Sequence, residues 1–174
     1  MNTALPDTIL KNTFSLGDMY TRADLLGRFF EHLFFGAAER EGARAHLIHA
    51  YYQSADPETQ AHADAIAAWG DDVLNTYTAE NLYERVHELK QAAEANSKIV
   101  LYVPVRLSTA HIERIGVWCR TNVQPNIILD LKVDPSTVGG CAFAFNNLLH
   151  DVSLSYFVKK QRPEMLKILH AYDK

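Results

Sequence analysis

The sequence predicts an α+β fold, in which an all-α helical bundle over residues 1–96 precedes a small β-α-β-β-α domain over residues 97–174. Apolar residues recur with a period near 3.6 through the first part, as in amphipathic helices. After Ser97 the pattern changes to short β-branched runs with alternating apolar residues. The pair Gly139-Gly140 then separates two such runs, which favours a tight chain reversal between strands.

About five helices are expected in the first part. The broadest apolar face lies on the helix that contains residues 25–34, which is typical of a helix at the centre of a bundle. Asp56 and Pro57 predict the start of a helix over 58–75, and shorter helical pieces are expected over 4–16 and 42–53. A further helix after Thr78 is predicted from the helical spacing of Leu82, Val86, Leu89 and Ala93. The residues predicted to cap the helices, including the helix after the first strand, are Asp18 or Thr21, Asp56, Thr78 and Ser108.

Three strands are expected in the second part. The run 98–103 is rich in β-branched residues and ends at Pro104. The run 127–133 alternates, so its odd-numbered residues, including Val133, should share one buried face. The run 141–145 alternates large and small side chains, and the Gly-Gly turn predicts that it forms a hairpin-like pair with 127–133.

Helical structure is predicted to close the chain. A segment begins at 152–158, and Pro163, tolerated in a first helical turn, is expected to start a further helix over 164–172. The apolar residues expected to face inward on that helix are Met165, Leu166 and Leu169.

The composition restricts the class of protein. An apolar fraction of 48% and a charged fraction of 22% are typical of a folded chain. The net charge of −4 gives no electrostatic reason to bind nucleic acid or an anionic membrane surface. Cys119 and Cys141 are expected to be small buried hydrophobic residues in a reducing compartment, with a disulfide as the minority alternative. Because neither a leader peptide nor a membrane span is recognisable, a cytoplasmic location is expected.

One group of residues is a candidate for a catalytic site. His150, Asp151 and Ser153 are the residue types of a nucleophilic triad, which would make the protein a small hydrolase. Residues so close in sequence rarely reach the required geometry, so the preferred interpretation is that Asp151 and Ser153 cap the closing helix. A phosphate site at Gly139-Gly140 is disfavoured because no Lys-Ser/Thr follows and the next element is a strand.

Other polar groups favour ordinary surface roles. His46 and His49 have helical spacing, but no further cysteine or carboxylate cluster completes a metal site. Asp71-Asp72 is interpreted as a solvated edge, and the basic cluster 159–162 as a solvated face or a contact for an acidic protein. No catalytic, cofactor-binding or metal-binding residue is therefore predicted.

Several motifs together resemble the delta subunit of bacterial F-type ATP synthase, the oligomycin-sensitivity-conferral protein of mitochondria. The resemblance covers total length and element order, including Leu107-Ser108 before a helix, and is most specific over residues 127–158. That region departs from the family at Asn146-Asn147, where Gly-Asp or Gly-Asn is common, although Asn also tolerates the left-handed conformation. The residues that match the family's motif are Asp134, Pro135, Gly139, Gly140, Asp151 and Ser153.

The resemblance implies a non-catalytic subunit of the peripheral stalk, or stator, without a cofactor. The helical domain would receive N-terminal segments of the alpha subunits, and the C-terminal domain would hold the C-terminal end of the b subunit. Such a protein would lie at the cytoplasmic face of the membrane without entering the bilayer. A freestanding adaptor of similar fold in another complex is the alternative.

Overall fold

The computed structural model describes residues 5–36 and 41–172. The structure is mixed α/β and 59% helical, with a four-stranded mixed sheet. Within the described ranges the helices are Asp7–Lys11 (α1), Leu16–Phe35 (α2), Arg44–Tyr52 (α3), Pro57–Ala67 (α4), Asp71–Leu74 (α5), Leu82–Ala95 (α6), Thr109–Asn122 (α7) and Leu154–Tyr172 (α8). The strands are Lys98–Val103 (β1), Ile128–Val133 (β2), Ala142–Phe145 (β3) and Leu148–Asp151 (β4).

Helix α2 lies at the centre of the helical part, as its apolar face predicts. Leu26 and Phe30 are fully buried there. The predicted caps Asp18 and Thr21 are wrong, because the helix begins earlier, at Leu16. Ser15 is the N-cap, and its side chain accepts a hydrogen bond from the amide of Asp18.

The other predicted caps differ in outcome. Asp56 caps α4 as predicted and accepts hydrogen bonds from two backbone amides. The predicted cap at Thr78 is wrong. Helix α6 begins only at Leu82, and the Thr78 amide instead donates to the Asn81 side chain. Ser108 occupies the N-cap position of α7 but makes no side-chain cap bond, because its hydroxyl lies 2.6 Å from the imidazole of His111.

The helix predicted over 58–75 is divided in two. Gly70 has a φ of +87°, a left-handed conformation that ends the helical path, so α4 and α5 are separate. Trp69 is buried at this junction.

The sheet has the strand order β2-β1-β3-β4. Strand β1 pairs parallel with β2 and antiparallel with β3, and β3 pairs antiparallel with β4. The predicted hairpin of 127–133 with 141–145 is therefore wrong, because β1 lies between those strands. The connection from β2 instead passes the end of β1, where the Asp134 amide donates to the Val103 carbonyl.

The C-terminal elements contain a further strand and a single helix. Asn146 and Asn147 have φ values of 50° and 62°, which suits a two-residue turn that joins β3 to β4. Helix α8 continues through Pro163, so the prediction of a new helix at Pro163 is wrong. Leu166 is exposed rather than inward, and the side chains of Met165 and Leu169 lie outside the described residues.

Strand β2 contributes to two apolar clusters. Ile128 belongs to the larger cluster, which consists mainly of buried residues of α1–α6. Ile127 and Leu129 belong to a second cluster with Ile99 of β1 and Cys119 of α7. Val133 is exposed, contrary to the predicted alternation, because the end of β2 extends beyond both clusters.

Candidate functional site

The loop after β2 is built around Asp134. Its Oδ1 accepts hydrogen bonds from the amide of Ser136 at 2.9 Å and from the Ser136 hydroxyl at 2.7 Å. Pro135 then begins a 3₁₀ turn over Pro135–Thr137. The Ser136 hydroxyl and then its amide lower the pKa of Asp134, since both stabilise the carboxylate form.

The two glycines of this loop have different roles. Gly140 has a φ of +73°, and a Cβ there would lie 2.6 Å from the carbonyl oxygen of Val152. Gly139 is not in the left-handed region, and a Cβ there would meet nothing closer than Leu154, at 3.7 Å. Only Gly140 therefore needs to be glycine, for its conformation and for the close approach of a second segment.

Asp151 and Ser153 fix the start of α8. The Asp151 carboxylate accepts the Ser153 amide at 2.9 Å, and the Ser153 hydroxyl accepts the Tyr156 amide at 3.2 Å. Ser153 thus has the predicted capping role. Asp151 does not accept a free amide of the helix; it accepts the amide of Ser153 and so orients the capping residue. Interaction with Ser153, first through its side chain and then its amide, lowers the pKa of Asp151.

The structure brings the two halves of the motif together. The Leu154 amide donates to the Gly139 carbonyl at 2.8 Å, and the Val152 amide donates to the Cys141 carbonyl at 3.0 Å. The loop after β2 therefore receives the first residues of α8. The motif residues therefore fix the position at which α8 begins beside the sheet.

The candidate triad has other contacts. The imidazole of His150 stacks on Phe143 of the neighbouring strand, with ring centroids 4.9 Å apart. The Ser153 hydroxyl is buried and shares hydrogen bonds with Tyr156 and Ser155. Among the described residues, no hydrogen bond joins His150 to Ser153.

Exposed apolar residues occur on β4, at the junction after it and on the first turns of α8. We call these residues the C-terminal apolar surface: Leu148, Leu149, Val152, Leu154, Phe157 and Val158. Leu149 is 67% exposed, and the basic residues of 159–162 lie next along α8. The sequence prediction missed β4, although Asn146-Asn147 between two short apolar runs is a hairpin signal.

A concave surface lies between α2 and α6, with a volume of about 400 Å³. Its apolar floor is formed by Ala23, Gly27, Leu82 and Val86, and its rim by Asp24, Arg28, Glu31 and Tyr83. We call it the α2/α6 groove.

Polar contacts hold the two helices of this groove together. Asp24 forms an ion pair with Lys90 at 2.6 Å. Tyr20 donates a hydrogen bond to Glu94, and this contact raises the pKa of Tyr20 to about 12. Side-chain contacts therefore link the two helices of the groove. Its floor is apolar, and its rim carries charges of both signs.

The remaining candidates have structural contacts. His49 lies 2.8 Å from Asp64, and His46 is exposed. No cluster of three or more metal-ligating side chains occurs among the residues that the structure describes. Asp71 is more than a solvated edge, because its carboxylate accepts the Ala45 amide in the first turn of α3.

Cys119 is buried and Cys141 half-buried, and both are free thiols. In the described part of the chain, none of the helices has the length and apolar character needed to cross a bilayer.

No protein-family model matches the chain, and no curated protein matches it significantly.

Proposed function

We propose that this chain is a non-catalytic peripheral-stalk subunit of an F-type ATP synthase, similar to the delta subunit. It would link the catalytic head to the b subunit at the cytoplasmic face of the membrane. The observation that carries the proposal is the motif of residues 133–140 with Asp151 and Ser153, which resembles that family in sequence and order.

The finer fold assignment belongs to the same proposal. Residues 1–96 would form the helical domain that faces the head, and residues 97–174 the C-terminal domain that faces the b subunit. Two exposed features support this division of roles, namely the α2/α6 groove in the first range and the C-terminal apolar surface in the second.

The α2/α6 groove suits an amphipathic helix from the N-terminus of an alpha subunit. A helix can place its apolar face on the floor between α2 and α6, while its polar flanks reach the charges of the rim. Gly27 leaves room on that floor, since a Cβ at this position would approach Val86 only to 3.9 Å. Charges of both signs on the rim favour a partner whose own flanks carry both signs.

The C-terminal apolar surface suits the end of the b subunit. Exposed leucines on β4 and exposed aromatic and aliphatic residues on α8 are the kind of apolar side chain that an interaction site would cover. Lys159, Lys160 and Arg162 beside it favour a partner segment that carries acidic residues.

Calorimetry with synthetic peptides tests both assignments. The purified chain should bind a peptide from an alpha-subunit N-terminus, and Gly27→Leu should weaken that binding at least about tenfold by filling the groove. Gly17→Leu is the matched control, because it also replaces an α2 glycine but lies outside the groove. Absence of binding to both the alpha peptide and the C-terminal segment of a b subunit would contradict the proposal.

A second pair of variants addresses the C-terminal surface. Leu149→Lys should reduce binding of the b segment, whereas Val105→Lys, at an exposed valine outside that surface, should not. The isolated chain should hydrolyse no ATP. The hydrolase alternative predicts instead an activity in a substrate screen that Ser153→Ala abolishes.

A further inference from the structure

A short extended segment connects α1 to α2 and reaches the sheet. Residues 12–15, which we call the strap, lie along the free edge of β2. The Leu129 amide donates to the Phe14 carbonyl at 2.9 Å, and Ser15 pairs with Leu129 as a parallel bridge. The strap thus belongs to the helical part by sequence and to the sheet by hydrogen bonding.

Arg120 of α7 holds the strap from the sheet side. Its guanidinium donates to the carbonyls of Leu10 at 2.6 Å and Thr13 at 2.5 Å, and to that of Ile127 at 3.1 Å. The same group lies over the ring of Phe14, 4.5 Å from its centroid. Because the Leu10 carbonyl belongs to the last turn of α1, Arg120 also caps that helix.

Arg22 of α2 holds the strap from the helical side. It is only 6% exposed, and it donates to the Asn12 carbonyl at 2.7 Å and to the Thr13 hydroxyl at 2.6 Å. That hydroxyl in turn donates to the Ile9 carbonyl at 2.8 Å. Each arginine therefore donates to at least one oxygen of the strap, while Arg120 also binds the Leu10 and Ile127 carbonyls. Burying these charges is costly unless the hydrogen bonds persist.

Packing restricts the strap further. A Cβ at Gly116 of α7 would lie 2.6 Å from the ring of Phe14, so the ring rests directly on the backbone of α7. Gly116 is buried in a helix interior, where glycine otherwise lowers stability. Its absence of a side chain makes room for Phe14.

We infer that the strap, clamped between Arg22 and Arg120, locks the helical part (α1–α6) to the sheet part (β1–β4 with α7), so that the two move and unfold as one body. The lock consists of directional bonds to carbonyls at the end of α1, in the strap and before β2. Its loss should leave each part able to unfold separately. This inference does not depend on the proposed function.

Two tryptophans allow each part to be followed by fluorescence. Trp69 is buried in the helical part, and Trp118 is exposed on α7. Trp118→Phe leaves Trp69 as the reporter of the helical part. Trp69→Phe leaves Trp118, and it sacrifices no hydrogen bond because the Trp69 indole N–H has no partner among the described residues.

Urea unfolding of these two single-tryptophan proteins tests the lock. Their transitions should coincide, and adding Arg120→Met to each should separate the two midpoints by about 0.5 M urea or more. Arg114→Met is the control, since Arg114 is an exposed arginine on the same helix, and it should leave the transitions coincident. Transitions that still coincide with Arg120→Met would overturn the inference.

A second variant decides the matter if Arg120→Met does not fold. Gly116→Ala keeps every charge and displaces only Phe14, so it should also separate the two transitions. Coincident transitions in Gly116→Ala would then overturn the inference.

Discussion

At the scale of single residues, Gly140 explains why a Gly-Gly pair follows β2. The left-handed backbone and the Val152 carbonyl 2.6 Å from an added Cβ both exclude a side chain. Gly140→Ala should therefore lower the free energy of unfolding by about 2 kcal/mol or more, and Gly140→Val by more still.

Urea denaturation measures this effect, and the chain supplies its own control. Gly139→Ala changes the neighbouring glycine, whose conformation and surroundings tolerate a methyl group. It should alter stability by less than about 0.5 kcal/mol. Equal losses in the two variants would show that the strain does not reside at Gly140.

The lowered pKa of His62 predicts how the free energy of unfolding depends on pH. Burial first, and then the charge of Arg22, lowers its pKa below the ordinary 6.5, against the opposing effects of Asp18, Glu58 and Asp56. Arg22 Nε donates to His62 Nδ1 at 3.4 Å, which requires an unprotonated Nδ1. The unfolded chain therefore takes up a proton before the folded chain does, as pH falls.

The stability that neutral His62 contributes is consequently complete above pH 6.5 and is lost as the pH falls through the lowered folded-state pKa. We expect the urea midpoint to decrease as the pH falls below about 6.5, and His62→Gln to flatten that dependence. His46→Gln, at an exposed histidine of α3, should retain it. The same slope in wild type and His62→Gln would refute the assignment.

At the scale of elements, Ser15 before α2 and Ser108 before α7 differ in their contacts. Ser15 accepts the Asp18 amide and is buried, whereas the Ser108 hydroxyl faces His111 and makes no cap bond. Ser15→Ala should cost about 1 kcal/mol of stability and Ser108→Ala clearly less. Thermal unfolding of both variants measures the difference, and a larger loss for Ser108→Ala would contradict this account.

The sequence predicts which residues form helices and strands better than it predicts which strands pair with one another. Strand β1 and the cap at Asp56 follow from local propensity and hydrogen bonding within a few residues, so both are predictable. The Asp-Pro and Gly-Gly residues after β2 are compatible with a hairpin and equally with a crossing past β1. The choice depends on which strand reaches the open edge of β1, and that is a tertiary contact.

Two further misses have similar causes. Strand β4 is exposed along its whole length, so no alternation of apolar and polar residues marks it. Pro163 is compatible with a helix start, but here it lies inside α8, which begins at Leu154 after the Ser153 cap. For the candidate site, the motif residues were recognisable, whereas the surfaces that they position required the fold.

At the scale of the whole molecule, a stator subunit must hold partners at separate surfaces and resist relative motion between them. The α2/α6 groove lies on the helical part, and the C-terminal apolar surface lies on β4 and α8. The strap supplies contacts between the helical part and the sheet, through Arg120 and Leu129. A rigid joint of this kind would suit the proposed function, although its test does not require that function.

Purification of the tagged chain from native membranes, followed by identification of the co-purifying proteins, tests the central claim most directly. The proposal predicts that the alpha, beta and b subunits of an F-type ATP synthase co-purify, and that the Gly27→Leu and Leu149→Lys double variant loses them. The Gly17→Leu and Val105→Lys double variant should retain them. Co-purification of a different complex, without synthase subunits, would contradict the claim and support an adaptor of another assembly.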